Sequence, residues 1–154
     1  MTAVLVVSVI ACFGFATDVG AASWNGIEPF KTSRAGVLKI MGPPVSESAD
    51  GVLRFNVSGG SVQISFVNEK FVANKKLRAE LTGVVLEIVL QHEHSSDTAE
   101  SMKLLKNRDF IRDDVRNISV FRNIKDGVVY TFIEGRLKTT RYTFADSQLS
   151  RARR

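Results

Sequence analysis

Two histidines, His92 and His94, stand two residues apart in QHEHSSDT, directly after an apolar run. At a strand end that spacing turns both imidazoles to one side, where they could chelate a metal ion, with Glu93 pointing the other way. Asp97 and Glu100 follow nearby, but the spacing implies no third ligand, and a structural site wants about four. The competing reading is a solvated loop. Nucleophilic catalysis needs a nucleophile, a base and an orienting group brought together. Serines and acids are plentiful, yet nothing in the spacing ties Ser58 or Ser65 to either histidine. Gly59-Gly60 falls within a hairpin rather than between a strand and a helix, so it does not read as a phosphate loop. Asp109, Asp113 and Asp114 interleave with Arg108, Arg112 and Arg116, the pattern of a surface laced with ion pairs. Their spacing gives no support to a glycosidase-type carboxylate pair. The expectation is a non-catalytic protein, with no cofactor and no metal.

Binding candidates are better represented. Lys75, Lys76 and Arg78 form one basic cluster, and Arg151, Arg153 and Arg154 another. Nucleic-acid binding wants such charges beside aromatics on which bases stack. Phe71 alone stands near the first cluster, so an anionic envelope surface is the better-fitting partner and nucleic acid is not expected. Tyr130, Phe132, Tyr142 and Phe144 recur at period two on late strands. They read as core or as cover for a helix; the sharper alternative is an exposed aromatic stripe that takes a peptide or an added strand. The candidate binding surface is therefore Phe71, Lys75, Lys76, Arg78, Tyr130 and Tyr142.

The chain that must position these residues has 154 residues, suggesting one domain, and 44% of them are hydrophobic, enough for a core. The formal charge is +5, and every Lys and Arg lies after residue 30. That balance favours anionic partners or simply solubility. Residues 3–16, AVLVVSVIACFGFA, form an apolar run of export-signal length, followed by Gly20, Ala21, Ala22 and Ser23. Cleavage after Ala21 or Ala22 suits the small-residue rule, although a positive leading segment is missing. The reading is a signal peptide over 1–22 and a periplasmic or secreted protein. The alternative is a lipid anchor at Cys12, the one cysteine, because Val9-Ile10-Ala11-Cys12 resembles a lipoprotein box. Membrane attachment is expected only through that lipid or through an uncleaved signal. With Cys12 gone, the mature chain has no thiol chemistry and no disulfide.

Residues 23–154 read as a single α+β domain, with 145–154 a basic tail, frayed after a helical turn at Ser147 to Ala152. Lys31 to Pro44 carries a helix of about ten residues, capped by Thr32 or Ser33 and stopped by Gly42, Pro43 and Pro44. Val37, Leu38 and Met41 are its expected core contacts, and Ile40 widens that face. A polar loop, 46–50, follows. Leu53, Phe55 and Val57 alternate as one strand, Ser58-Gly59-Gly60 turns the chain, and Val62, Ile64 and Phe66 return it. Residues 68–83 read as a long connection with a short helical turn near Leu77. VVLEIVL at 84–90 is the most apolar strand and so central, with Val84, Leu86, Ile88 and Leu90 on one face. Thr98 caps a second short helix bearing Met102, Leu104 and Leu105. A meander closes the chain: Ile118, Val120 and Arg122 on one side of a strand, an Asp-Gly turn at Asp126-Gly127, Val128, Tyr130 and Phe132, the Glu134-Gly135 turn, and a last strand over 137–144. Strands in runs with segregated helices imply an antiparallel sheet of about five to six strands packed by short helices.

TSRAGVLKIMGPP and the VLRFNVSGGSVQISFV hairpin resemble the opening of the outer-membrane-lipoprotein-A/small-protein-A superfamily, the BamE-like domains, whose fold is similar to that of β-lactamase inhibitor protein. The likeness covers roughly residues 26–67 and is a pattern that recurs across unrelated functions. The whole mature chain also looks like a family of exported bacterial proteins, through Trp24-Asn25-Gly26-Ile27-Glu28-Pro29, Gly127-Val128-Val129-Tyr130 and Arg141-Tyr142. These resemblances imply a BamE/BLIP-like fold and a protein-binding or envelope-assembly role. A secreted hydrolase inhibitor is the alternative, and an enzyme or metal-binding protein using His92 and His94 stands behind it.

Overall fold

The computed structural model describes residues 21–153. Apart from Ala21 and Ala22, the expected export segment, Cys12 included, lies outside those residues. Ala21 is buried, and the Ala22 amide donates to the Asp126 carbonyl at 2.8 Å.

Helix α1 spans Arg34–Met41, shorter than the stretch that announces it. Ser33, not Thr32, is the N-cap, its hydroxyl accepting from the Gly36 amide at 3.1 Å. Thr32 turns back and accepts from the Glu28 amide at 2.9 Å. Gly42 closes the helix by donating to the Leu38 carbonyl. Val37 is fully buried and Met41 half-buried, but Leu38, expected in the core, is 36% exposed, and Ile40 is exposed too. A helix of eight residues, about two turns, presents only a narrow stripe to the sheet. Leu38 and Ile40 lie about 100° or less to either side of it and flank the contact.

The fold class is α+β, built on one antiparallel sheet. Among the described residues the sheet has eight strands, in the order β1-β2-β3-β4-β8-β7-β6-β5, not five to six. The strands are β1 (Ser46–Glu47), β2 (Leu53–Val57), β3 (Gly60–Phe66), β4 (Val85–His92), β5 (Ile111–Val115), β6 (Ile118–Asn123), β7 (Val128–Ile133) and β8 (Arg136–Thr143). The two unexpected strands are the edges. Both are exposed along their whole length, so neither has the buried alternation that marks a strand in sequence. The β2–β3 hairpin and the central place of β4 agree with the sequence. The facing of β4 does not. A bulge at Ser65/Phe66 shifts the register so that Phe66 pairs with Val85. Val85 and Ile88 then fill the core while Val84 and Leu86 pack elsewhere.

Three clusters make the core. Ile27, Val37, Phe55, Ile64 and Ile88 join α1 to β2–β4. Leu104, Phe121, Phe132 and Leu137 place the 99–110 segment over the meander. That segment is a series of turns rather than the expected helix: Thr98 and Ser101 bond each other reciprocally, yet the helical ladder is not continued. The third cluster, Val67, Val72, Leu77 and Ala152, closes the end of the sheet. It extends two expectations, the helical turns read near Leu77 and at 147–152. Residues 68–83 contain helix α2 (Glu69–Lys75), capped by Asn68, and a 3₁₀ turn at Ala79–Leu81. The basic tail is helix α3 (Asp146–Ala152), docked through Ala152 and Leu149. No helix among the described residues is long and apolar enough to cross a membrane.

Candidate interaction surface

Pleating sends alternate side chains to opposite faces, and the register aligns them across the sheet. The helix-covered face carries the core. On the other, one cross-strand row runs Arg54, Gln63, Val89, Arg141, Val129, Arg122, Ile111. None of these seven belongs to a core cluster. The row is tied by ion pairs instead: Arg141 to Glu87 at 3.4 Å, and Arg122 to Asp113. Both pairs are largely solvated and contribute little stability, on the order of 0–1 kcal/mol.

The row ends at β5. Ile111 pairs with Arg122, Asp113 with Val120 and Val115 with Ile118, while the far side of β5 meets no other strand among the described residues. All five β5 residues are exposed, Ile111 at 56% and Val115 at 66%. Ile118, next to Val115, is exposed as well, and Ile133 lies beyond it on β7. An apolar corner thus adjoins a free hydrogen-bonding edge. On the opposite side of β5, Arg112 pairs with Asp114 at 2.9 Å and lies 5.4 Å from the centre of the Phe121 ring. The Ser119 hydroxyl, donating at 2.6 Å, and then Arg112 hold the Asp114 carboxyl below its ordinary value. Of the interleaved charges read from residues 108–116, Arg112 and Asp114 pair with each other, while Asp113 pairs outside the segment with Arg122 on β6. The strand character of that segment was hidden because Ile111 and Val115, the apolar residues of the alternation, stay in solvent.

The six candidate binding residues fall into two groups. Phe71 is half-buried, edge-on to Phe30 at 6.4 Å and 6.2 Å from Phe144. It belongs to the core at the sheet's end. Lys75, Lys76 and Arg78 are exposed around it. Lys76 ends α2 in a left-handed conformation, and the Arg78 amide donates to the Ala152 carbonyl. Beside them Val72, Ala73, Leu77 and Thr82 line an open groove of about 820 Å³. Tyr130 and Tyr142 lie on the helix-covered face of the sheet, on β7 and β8. Both are half-buried, Tyr130 against Phe110 at 5.7 Å and Tyr142 against the first cluster. Burial raises both phenols, and Tyr130 raises Tyr142 further. Phe132 is core and Phe144 stacks on Phe30 at 4.6 Å, so the period-two aromatics do not form one stripe.

The histidines also separate. His92 ends β4 on the covered face, half-buried, its Nε2 2.9 Å from the Thr140 hydroxyl. Burial lowers its imidazole below the ordinary value, and Asp97 acts more weakly the other way. His94 lies past the strand end, exposed. No group of three or more His, Cys, Asp or Glu among the described residues is placed to hold a metal ion. Compared with known proteins, the chain matches no family profile, no curated protein and no solved structure.

Proposed function

We propose that this chain is an exported, non-catalytic protein-binding domain that docks its partner along β5 and the apolar corner beside it. The observation that carries the reading is a free sheet edge with Ile111, Val115 and Ile118 all exposed next to it. Natural sheets blunt their edges, as the two-residue β1 does here by its shortness. β5 carries charges at Arg112, Asp113 and Asp114, yet its five residues and terminal aliphatics give it the length and apolar contacts for strand addition, where main-chain bonds supply affinity and alternate side chains supply specificity. The apolar run at residues 3–16 supports export to the periplasm or beyond. The likeness of residues 26–67 to BamE-like domains supports an envelope-assembly setting. In that setting Lys75, Lys76 and Arg78 would face anionic envelope surface from the other end of the sheet.

Photocrosslinking in the producing cells tests the reading. A reactive side chain at Val115 gives a discrete adduct that disappears in Ile118→Lys, while one at Lys39 on α1 gives none. Adducts of equal yield from both positions, or from neither, refute docking at β5.

A further inference from the structure

We infer that β5 pairs with β5 of a second copy, antiparallel and centred on Asp113, joining both sheets into one. The inference rests on the reading of β5 as the docking edge and names its occupant.

The argument comes from register. A two-fold axis that keeps the open faces of both copies on the same side must pair odd residues with odd and even with even. Three centres set most of β5 against itself, and only the one at Asp113 pairs all five of its residues. Centred on Arg112, the strands oppose Arg112 to Arg112 and set Ile111 against Asp113. Centred on Asp114, they oppose Asp114 to Asp114 and set Val115 against Asp113 and Arg112 against Arg116. Centred on Asp113, Ile111 meets Val115 of the second copy twice and Arg112 meets Asp114 of the second copy twice. Opposite charges and aliphatic pairs directly across a ladder are the favourable combinations. The Ile111–Val115 pairs lie on the open face and continue into Ile118 on both sides. The self-pairing thus covers the exposed aliphatics of the edge.

One term opposes it. Asp113 meets Asp113 at the axis, and like charges directly opposite are destabilising. Each is already paired with its own Arg122, which offsets the repulsion. Charges on an edge strand ordinarily block pairing. Here Arg112 and Asp114 read the same after reversal, so they permit this register and penalise the other two. A contact of five residues a side is small, so association is weak and concentration-dependent.

Sedimentation equilibrium, on the protein in the form its cells accumulate and at concentrations up to roughly 1 mM, tests the pairing. Arg112→Asp and Asp114→Arg each lose self-association, because each sets like charges across the axis. Mixed together, the two variants associate, since every cross-strand pair at 112 and 114 is then of opposite sign. A shared folding defect could not produce that recovery. Asp113→Asn tightens self-association roughly two- to fivefold by removing the central repulsion. A wild-type protein monomeric throughout overturns the inference, as does a mixture that fails to recover. If the protein is monomeric but Val115 still crosslinks a different protein, the docking edge stands and the second copy is rejected. If both experiments fail, both readings fall.

Discussion

Replacing Gly127 by Ala should destabilise the fold through two separable effects. Gly127 is buried at the start of β7 with φ +70°, a left-handed conformation. Adopting it costs Ala about 1–2 kcal/mol, of which the stiffer unfolded chain returns about 0.4–1 kcal/mol. The second effect is overlap. A Cβ at this position would run into the Thr143 carbonyl oxygen and come within 3.0 Å of the Phe144 carbonyl group. Both obstacles are main chain at the end of β8, held by the Thr143 amide donating to the Gly127 carbonyl at 2.8 Å. They cannot swing aside as a side chain would, so the cost of overpacking, about 1–3 kcal/mol, applies in full. Together the net loss is about 1–4.5 kcal/mol, a large part of the roughly 5–15 kcal/mol typical of a domain. The expected fall in Tm is roughly 10 °C. Gly135 provides the control, with φ +75° and nothing within 4 Å of its would-be Cβ. Gly135→Ala carries the conformational cost alone, under about 1.5 kcal/mol. Urea denaturation followed by circular dichroism measures both. If Gly127→Ala is no more than about 0.5 kcal/mol worse than Gly135→Ala, the close approach of the β6–β7 turn to β8 is wrong.

Two further outcomes follow from the core and from His92. Ile88→Ala, at a fully buried site between α1 and the sheet, costs about 2–5 kcal/mol in urea unfolding. Leu38→Ala, at the rim of α1, costs under about 1 kcal/mol; equal losses would mean that Leu38 is core after all. The His92 imidazole is lowered from its ordinary 6.5 by burial, so the unfolded chain takes up its proton first as pH falls. Its contribution is therefore present above about pH 6.5 and lost on acidification through the lower folded value. Stability measured between pH 7.5 and about 5 should fall in wild type and fall less in His92→Gln, and identical pH dependence in the two proteins would contradict the burial of His92.

The sequence by itself determined what depends on neighbours a few residues apart. Ser33 and Gly42 bracket α1 because capping is local chemistry between a side chain and the nearest orphan amides or carbonyls. The β2–β3 hairpin was legible from the alternation of Leu53, Phe55, Val62 and Ile64 around a glycine turn. Glu134-Gly135 likewise joins Ile133 to Arg136 directly. The central position of β4 was legible from the most apolar run among the strands, although Val89 of that run lies on the open face. Within the interleaved charges at 108–116, the pairing of Arg112 with Asp114 was legible because the two stand two residues apart on one strand, whereas that of Asp113 with Arg122 came from the β5–β6 register.

Tertiary structure decided the rest. The bulge at Ser65/Phe66 belongs to a pairing between distant segments, so nothing within β4 announced that Val85 rather than Val84 would enter the core. Asn68 caps α2, but Phe71 and Val72 gain a reason to be helical only from Phe30, Leu77 and α3 packed around them. Tyr130 and Tyr142 were drawn onto the covered face and half-buried there, whereas the basic cluster grouped with them stays exposed. The candidate site itself was the least visible feature. Ile111 and Val115 looked like stray apolar residues in a charged stretch, because an edge strand with no buried face has no hydrophobic period to betray it. Only the strand order, which leaves β5 last and unpaired on one side, turns them into a surface.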